Sequence, residues 1–166
     1  MSTKQNLETA FAGESQANRK YTAFARKAES EGFKNVAALF RAVAEAETVH
    51  ALSHFRVLGG VKSTAENLEA AIAGETYEVE EMYPKFLAEA EKEGNKPAVY
   101  SIKGALETEK IHAELYRKAL EAVKAGKDLA EQAVYICDVC GHTHIGEPPD
   151  KCPICNAPKS HYFQVK

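Results

Sequence analysis

Nowhere in these 166 residues do eighteen apolar residues follow one another, so no segment has the length that a membrane-crossing helix needs. The amino terminus, MSTKQNLETA, lacks the apolar run of a secretory leader, and the expected location is the cytoplasm. Excess basic charge is missing too. Lys and Arg number 21 against 24 Asp and Glu, a net charge of −3, and no basic stripe offers itself to a phosphate backbone. Neither a nucleic acid nor a membrane is expected as a partner. Cysteine is absent until residue 137, which excludes a disulfide framework for the body of the chain. The four cysteines that follow form two Cys-x-x-Cys pairs, and in a reducing compartment such pairs point to metal sooner than to disulfide.

From Leu7 to about Val123 proline is scarce, Ala, Glu, Lys and Leu predominate, and apolar residues recur every three or four positions. That pattern is helical. Glycines close the helices at Glu31-Gly32-Phe33, Leu58-Gly59-Gly60 and Glu93-Gly94-Asn95. The breaks leave four helices, roughly 4–30, 35–58, 64–93 and 97–125. Ser63-Thr64-Ala65-Glu66 has capping-box spacing at the third start. A faint duplication runs through this part: FAGES (11–15) echoes IAGET (72–76), AESEG (28–32) echoes AEKEG (90–94), and ETVH (47–50) echoes EKIH (109–112). From Tyr135 onward Cys, Pro, Gly and His dominate. The expected organisation is a helical domain over 1–130 and a metal-stapled unit over 131–166.

Helical spacing places acid on faces that should be apolar. The inward lines read Leu7, Phe11, Glu14, Asn18, Tyr21; then Val36, Phe40, Val43, Glu47, His50, His54, Val57; then Leu68, Glu75, Glu78, Met82, Phe86; and finally Ile102, Leu106, Glu109, His112, Tyr116, Leu120. One such Glu proves little, because a helical Glu usually faces water. Acid on all four helices, in register with a repeat, is harder to dismiss. Gathered carboxylates would repel one another until some took up protons, and a multivalent cation removes that cost. Glu-x-x-His sets an oxygen and a nitrogen one turn apart on one face. Di-iron carboxylate bundles use one Glu from each of two helices and Glu-x-x-His from each of the other two. Here Glu14 and Glu75 supply the first kind, Glu47 with His50 and Glu109 with His112 the second, and Glu78 is left over. Tyr21 and Tyr83 are expected among the core aromatics, each with a phenol able to hydrogen-bond a ligand carboxylate. His54 has no counterpart in the fourth helix and is expected outside the ligand set.

Cys137, Cys140, Cys152 and Cys155 form CDVC and CPIC, eleven residues apart. Two such turns facing each other give four thiolates in a tetrahedron, which suits a single iron or zinc. Gly141 and Asn156, each directly after a pair, are residues that tolerate the left-handed turn such a knuckle needs.

With both parts read, the chain resembles the rubrerythrins, a ferritin-like di-iron four-helix bundle followed by a rubredoxin-like four-cysteine domain, mainly α in class. The resemblance rests on FAGESQANRKY, AEAETVH, AGETYEVEEMYP, ETEKIHAELY and YICDVCG with CPIC, and it covers essentially the whole chain. It implies two irons, oxo-bridged in one state, with Glu47 and Glu109 bridging, Glu14 and Glu75 terminal, and His112 on the second iron. His50 and Glu78 would alternate on the first iron, His when reduced and Glu when oxidised. It also implies a peroxidase reducing hydrogen peroxide to water in defence against oxidative stress, with electrons relayed through the cysteine-bound iron from an external reductase or small redox protein. His142 departs from the pattern, since the family commonly has an aromatic residue there. A ferroxidase or iron store would use the same bundle without needing the redox tail, and a zinc ribbon on a structural bundle would be no enzyme.

Ferritin-like bundles need one long crossover, between their second and third helices. A helix over 35–58 is about 36 Å long, and the five residues 59–63 reach at most about 18 Å. The expectation is a homodimer in which helices 1 and 2 of one copy pack on helices 3 and 4 of the other.

Overall fold

The computed structural model describes residues 2–165; residues 1 and 166, the outer ends of the two expected domains, lie outside the described residues. The fold is mainly α, with four helical rods and a small C-terminal sheet bearing the cysteines. It divides into two compact units, Met1–Lys62 and Ser63–Lys166. That division falls inside the expected helical domain.

The first unit is a helical hairpin of α1 (Thr3–Ser30) and α2 (Lys34–Val57). Ser2 opens α1 with a capping box to Gln5. Gly32, at φ 86°, reverses the chain, and Phe33 N–H reaches back to Ala28 O at 2.9 Å. The buried residues of the seam are small: Asn18, Ala25 and Ala28 on α1, and Ala37, Ala44 and Ala51 on α2. Asn18 ties the rods together, its amide donating to Ala44 O and to Thr48 Oγ1, both at 2.7 Å. Phe11 stacks on Phe55 with ring centroids 4.9 Å apart. Larger side chains stay open. Phe24, Leu39, Val49 and Leu52 are exposed, and so are Val36 and Val57, which the helical phase reads as inward. Two helices offer only one seam, and alanine fills it.

In the second unit α3 (Thr64–Tyr77), a π-helical turn (Glu78–Met82) and α4 (Tyr83–Lys92) form one continuous rod beside α5 (Lys96–Lys124). The Ser63–Glu66 capping box is present. The expected helix over 64–93 is therefore not regular. Tyr83 N–H bonds Glu78 O, five residues back, and Pro84, which has no N–H to give, follows at once. Phe86 and Tyr116, also read as inward, are exposed. Beyond α5, the strands β1 (Val134–Cys137), β2 (Thr143–Ile145) and β3 (Tyr162–Val165) make an antiparallel sheet in the order β2-β1-β3. Among the described residues no helix is long and apolar enough to cross a membrane.

Candidate metal centres

The two cysteine knuckles are built alike. Gly141 N–H donates to Cys137 O and Asn156 N–H to Cys152 O, at 2.8 and 2.9 Å. Gly141 and Asn156 both have positive φ, 83° and 60°, as the turn requires. All four sulfurs converge, with Cys137 Sγ 3.7 Å from Cys155 Sγ and Cys140 Sγ 3.6 Å from Cys152 Sγ. A tetrahedron with metal–sulfur bonds of about 2.3 Å has edges of about 3.8 Å. The sulfurs therefore fit one tetrahedral ion, and the separations are too long for disulfides. Burial opposes ionisation of Cys152, yet hydrogen bonds from Tyr162, from the peptides of Cys155 and Ile154 and from Cys140 outweigh it and hold that thiol down at about 6. Burial pushes the Cys140 thiol up.

His142 is buried beneath this cluster, 4% exposed, with Nδ1 2.5 Å from Tyr162 Oη. Burial, then the neighbouring His144 and His112, hold its pKa down and favour the neutral ring; with the phenol proton given to Cys152, Nδ1–H is the donor to Tyr162 Oη. Tyr162 in turn has Cys152 as a hydrogen-bond partner. Sequence reading marks His142 as a departure but does not reveal this pair. Tyr162 lies opposite Cys137 in the β1–β3 register, a placement that only the folded sheet supplies.

The carboxylate and histidine ligands expected in the helices fall into two matching groups. In the first unit Glu14, Glu47 and His50 converge, with donor atoms within 4.8 Å of one another. His50 Nδ1 lies 2.9 Å from Glu47 Oε2. In the second unit Glu75, Glu109 and His112 converge within the same limit, and His112 Nδ1 lies 2.6 Å from Glu109 Oε2. The repeated Glu-x-x-His motif thus folds the same way twice. Glu78 is not within the tight group, but it lines the same open concavity, of about 490 Å³, with Glu75, Glu109, His112 and Tyr116. Burial first, then the Glu109 charge, raise Glu78 above its ordinary value. Tyr83 is raised by burial and by the charges of Glu78, Glu109 and Glu75, which places its phenol beside the acids. Tyr21 instead sits in an aromatic cluster with Phe24 and Phe40, each ring 6.2 Å away.

Two carboxylates and an imidazole per group are hard and borderline donors of the kind iron accepts. The donors of each group, taken by itself, fit iron, and in the second unit Glu78 stands beside the group. Neither unit holds the whole set.

The cysteine unit is docked on α5. Gly104 faces Cys140 Cβ, and Gly141 faces Thr108 Cγ2, so small residues allow the close approach. Thr108 Oγ1 lies 2.8 Å from Gly104 O and 3.1 Å from Cys140 O and shares its proton between them. One turn further along the helix His112 Nε2 meets Thr143 Oγ1 at 2.9 Å. Neither threonine belongs to a metal-ligand motif, and nothing in their local spacing marks them.

Residues 5–120 match the rubrerythrin family model, and residues 135–163 match that of the rubrerythrin rubredoxin-like domain. The chain belongs to the rubrerythrin family. Among its relatives, rubrerythrin-2 of Clostridium acetobutylicum is 37% identical over 96% of this chain and 95% of its own. Nigerythrin of Nitratidesulfovibrio vulgaris is 37% identical over 95% of this chain and 84% of its own. Solved structures of nigerythrin, one described as partially reduced and one as fully reduced and all ferrous, each cover 99% of this chain and 87% of their own, with TM-score 0.59 and 35% identity. Membership of the rubrerythrins makes iron the metal implied for both kinds of site and oxidoreductase the general class of activity.

Proposed function

We propose that this chain is a peroxidase that reduces hydrogen peroxide to two waters, consuming two electrons and two protons. The observation that carries this reading is the docking of the four-thiolate site on α5, the helix that bears Glu109 and His112. An iron store or ferroxidase has no need of a one-electron site fastened to a ligand-bearing helix. Glu14, Glu47 and His50 would hold one side of the iron pair and Glu75, Glu109 and His112 the other. When bound, the pair supplies the electrons that cleave the oxygen–oxygen bond. Tyr83, kept protonated by burial and by the surrounding acids, offers a hydrogen bond to a carboxylate or to the substrate. Reducing equivalents would arrive from an external reductase or small redox protein at the cysteine unit, where Val139 and Ile154 surround the partly exposed Cys140 and Cys155.

The same reading makes a second copy of this chain the partner that completes each site. The ferritin-like bundle needs one long crossover. The 24 residues of α2 span about 36 Å, while Leu58–Ser63, six residues between α2 and α3, reach at most about 22 Å. The α1–α2 hairpin of one copy then packs on the α3–α5 unit of the other. This pairing also accounts for the exposed Phe24, Leu39, Val49, Leu52 and Phe86, which one chain leaves uncovered.

The test is stopped-flow absorbance of the iron-loaded full-length protein, reduced without air and mixed in separate runs with hydrogen peroxide and dioxygen. Peroxide should oxidise the bundle and the red thiolate-bound iron much faster than dioxygen. Dioxygen as fast or faster, or a colourless cysteine unit that holds zinc, would overturn the reading. Release of mineralised iron on reduction would favour storage.

A further inference from the structure

The two Glu-x-x-His groups are alike in their inner contacts and unlike in their outer ones. His50 meets Glu47 through Nδ1, and its side chain is 56% exposed. His112 meets Glu109 through Nδ1 in the same way but is only 24% exposed, because its far nitrogen is covered. Nε2 lies 2.9 Å from Thr143 Oγ1, and Thr143 Oγ1 in turn donates to Gly141 O at 3.3 Å. With the threonine proton directed to that carbonyl, the remaining lone pair accepts from Nε2–H. The hydroxyl thus favours the tautomer that frees Nδ1 for a metal ion held with Glu109 and Glu75, whereas without the ion the 2.6 Å contact between Nδ1 and Glu109 Oε2 holds a proton.

We infer that Thr143 is a positioning residue. Its hydroxyl fixes His112 as the Nε2–H tautomer and so makes that histidine the permanent ligand of the pair, while joining it through the Gly141 peptide to Cys140. The inference rests on the reading of Glu109 and His112 as metal ligands. A ligating histidine ordinarily gives its second N–H to a carboxylate or carbonyl of the same fold, which fixes the ring. Here the acceptor belongs to the cysteine unit. Correct seating of that unit on α5 and correct presentation of His112 therefore become one event. The route from the knuckle to the ligand runs along the backbone from Cys140 to the Gly141 carbonyl and then through two hydrogen bonds, a short connection for an electron leaving the cysteine site. Among the described residues no such acceptor meets the far nitrogen of His50, whose side chain stays open to solvent.

The experiment compares the wild type with Thr143→Val, which keeps the shape and loses the hydroxyl, Thr143→Ser, which keeps the hydroxyl, and Thr108→Val, which weakens the same docking without touching His112. The first readout is the His112 ring proton, followed by nitrogen-correlated NMR of the full-length protein loaded with zinc at all sites. A slowly exchanging Nε2–H is expected in the wild type, Thr143→Ser and Thr108→Val, and its loss to fast exchange in Thr143→Val. The second readout, on iron-loaded protein, is the rate at which the reduced cysteine-bound iron turns red after peroxide. It should fall about tenfold or more in Thr143→Val and return to within about twofold in Thr143→Ser. Wild-type exchange and wild-type rate in Thr143→Val would overturn the inference, and so would equal losses in the Ser and Val variants. A wild type that binds no iron beyond the cysteine site would instead overturn the ligand reading beneath it.

Discussion

Glu75 and Glu109 bring carboxylate oxygens within 4.8 Å of one another across α3 and α5. Burial, the Glu109 charge and a proton shared between the two acids, with a smaller push from Glu78 and against the pull of His112, raise Glu75 from 4.5 to about 7. Folding therefore favours the protonated acid. In the metal-free protein the folded state binds more protons than the unfolded state between about pH 4.5 and 7, so stability falls as pH rises through that window. A metal cation reverses the sign, since it replaces the proton. Urea midpoints of metal-free protein should be higher at pH 5 than at pH 8, and Glu75→Gln should flatten the difference. Zinc or ferrous uptake at pH 6 should release protons, measurable by calorimetry in buffers of different ionisation enthalpy. A midpoint that rises with pH in the metal-free protein would contradict the shared proton.

Tyr162 stands between His142 and Cys152, accepting from the first and donating to the second. Tyr162→Phe removes a hydrogen bond from a thiolate and leaves the buried Nδ1–H of His142 without its acceptor. Hydrogen bonds to ligand sulfur raise the potential of the iron it holds. One net bond of about 1 kcal/mol corresponds to about 40 mV in a one-electron couple. The cysteine-bound iron should therefore shift to lower potential by about that amount in a spectroelectrochemical titration of the red band. In metal-free protein the alkylation profile of Cys152 should move to higher pH, because the Tyr162 hydrogen bond that holds its thiol down is gone. An unchanged potential would show that the phenol does not bear on the cluster.

Gly60 packs so tightly on Phe55 that a Cβ there would lie 2.2 Å from the ring. That ring is itself stacked on Phe11 and cannot retreat without breaking the stack. Gly60→Ala should destabilise the protein by about 1–3 kcal/mol, the usual cost of overpacking. Adding Phe55→Leu should recover part of that loss, because the smaller side chain makes room. The check is a double-mutant cycle from thermal or urea unfolding. Strict additivity of the two substitutions would mean that the contact carries no energy.

Much of this molecule is legible in its residues, for reasons that are local. Gly32, Gly59 and Gly94 end helices because their positive φ favours glycine. Cys-x-x-Cys followed by Gly141 or Asn156 closes the same turn wherever it stands. Glu-x-x-His brings its two side chains to one face by helical geometry alone, which is why both copies converge as their spacing predicts. The π-helical turn at Glu78–Met82 is a different matter. Its one outward sign is Pro84 within an otherwise helical run, and proline alone does not say whether a rod will kink, stop or widen. Burial was the least legible property. Val36, Val57, Phe86 and Tyr116 have the phase of core residues and are exposed in one chain, because phase tells which residues share a face and not what covers it. Thr108 and Thr143 acquire their roles from the docking of the cysteine unit on α5, a long-range contact that no window of sequence contains.

If each iron site is built from the hairpin of one copy and the α3–α5 unit of another, two inactive variants should repair one another. A chain carrying Glu47→Ala and His50→Ala has one defective group, and a chain carrying Glu109→Ala and His112→Ala has the other. Each alone forms dimers in which every site contains a defective half. Co-expressed, they also form mixed dimers, and in these one site joins two defective halves while the other joins two intact ones. Random pairing makes half of the dimers mixed, so about a quarter of the wild-type bundle iron and peroxidase rate should return. A site closed within a single chain predicts no recovery in the mixture, because every chain carries a lesion. Iron content by inductively coupled plasma mass spectrometry, corrected for the cysteine site, together with turnover of the purified mixed dimer, separates the two arrangements. Recovery of about one site per mixed dimer would also place Glu14, Glu47 and His50 opposite Glu75, Glu109 and His112 of the partner copy, since no other pairing of halves restores a complete ligand set.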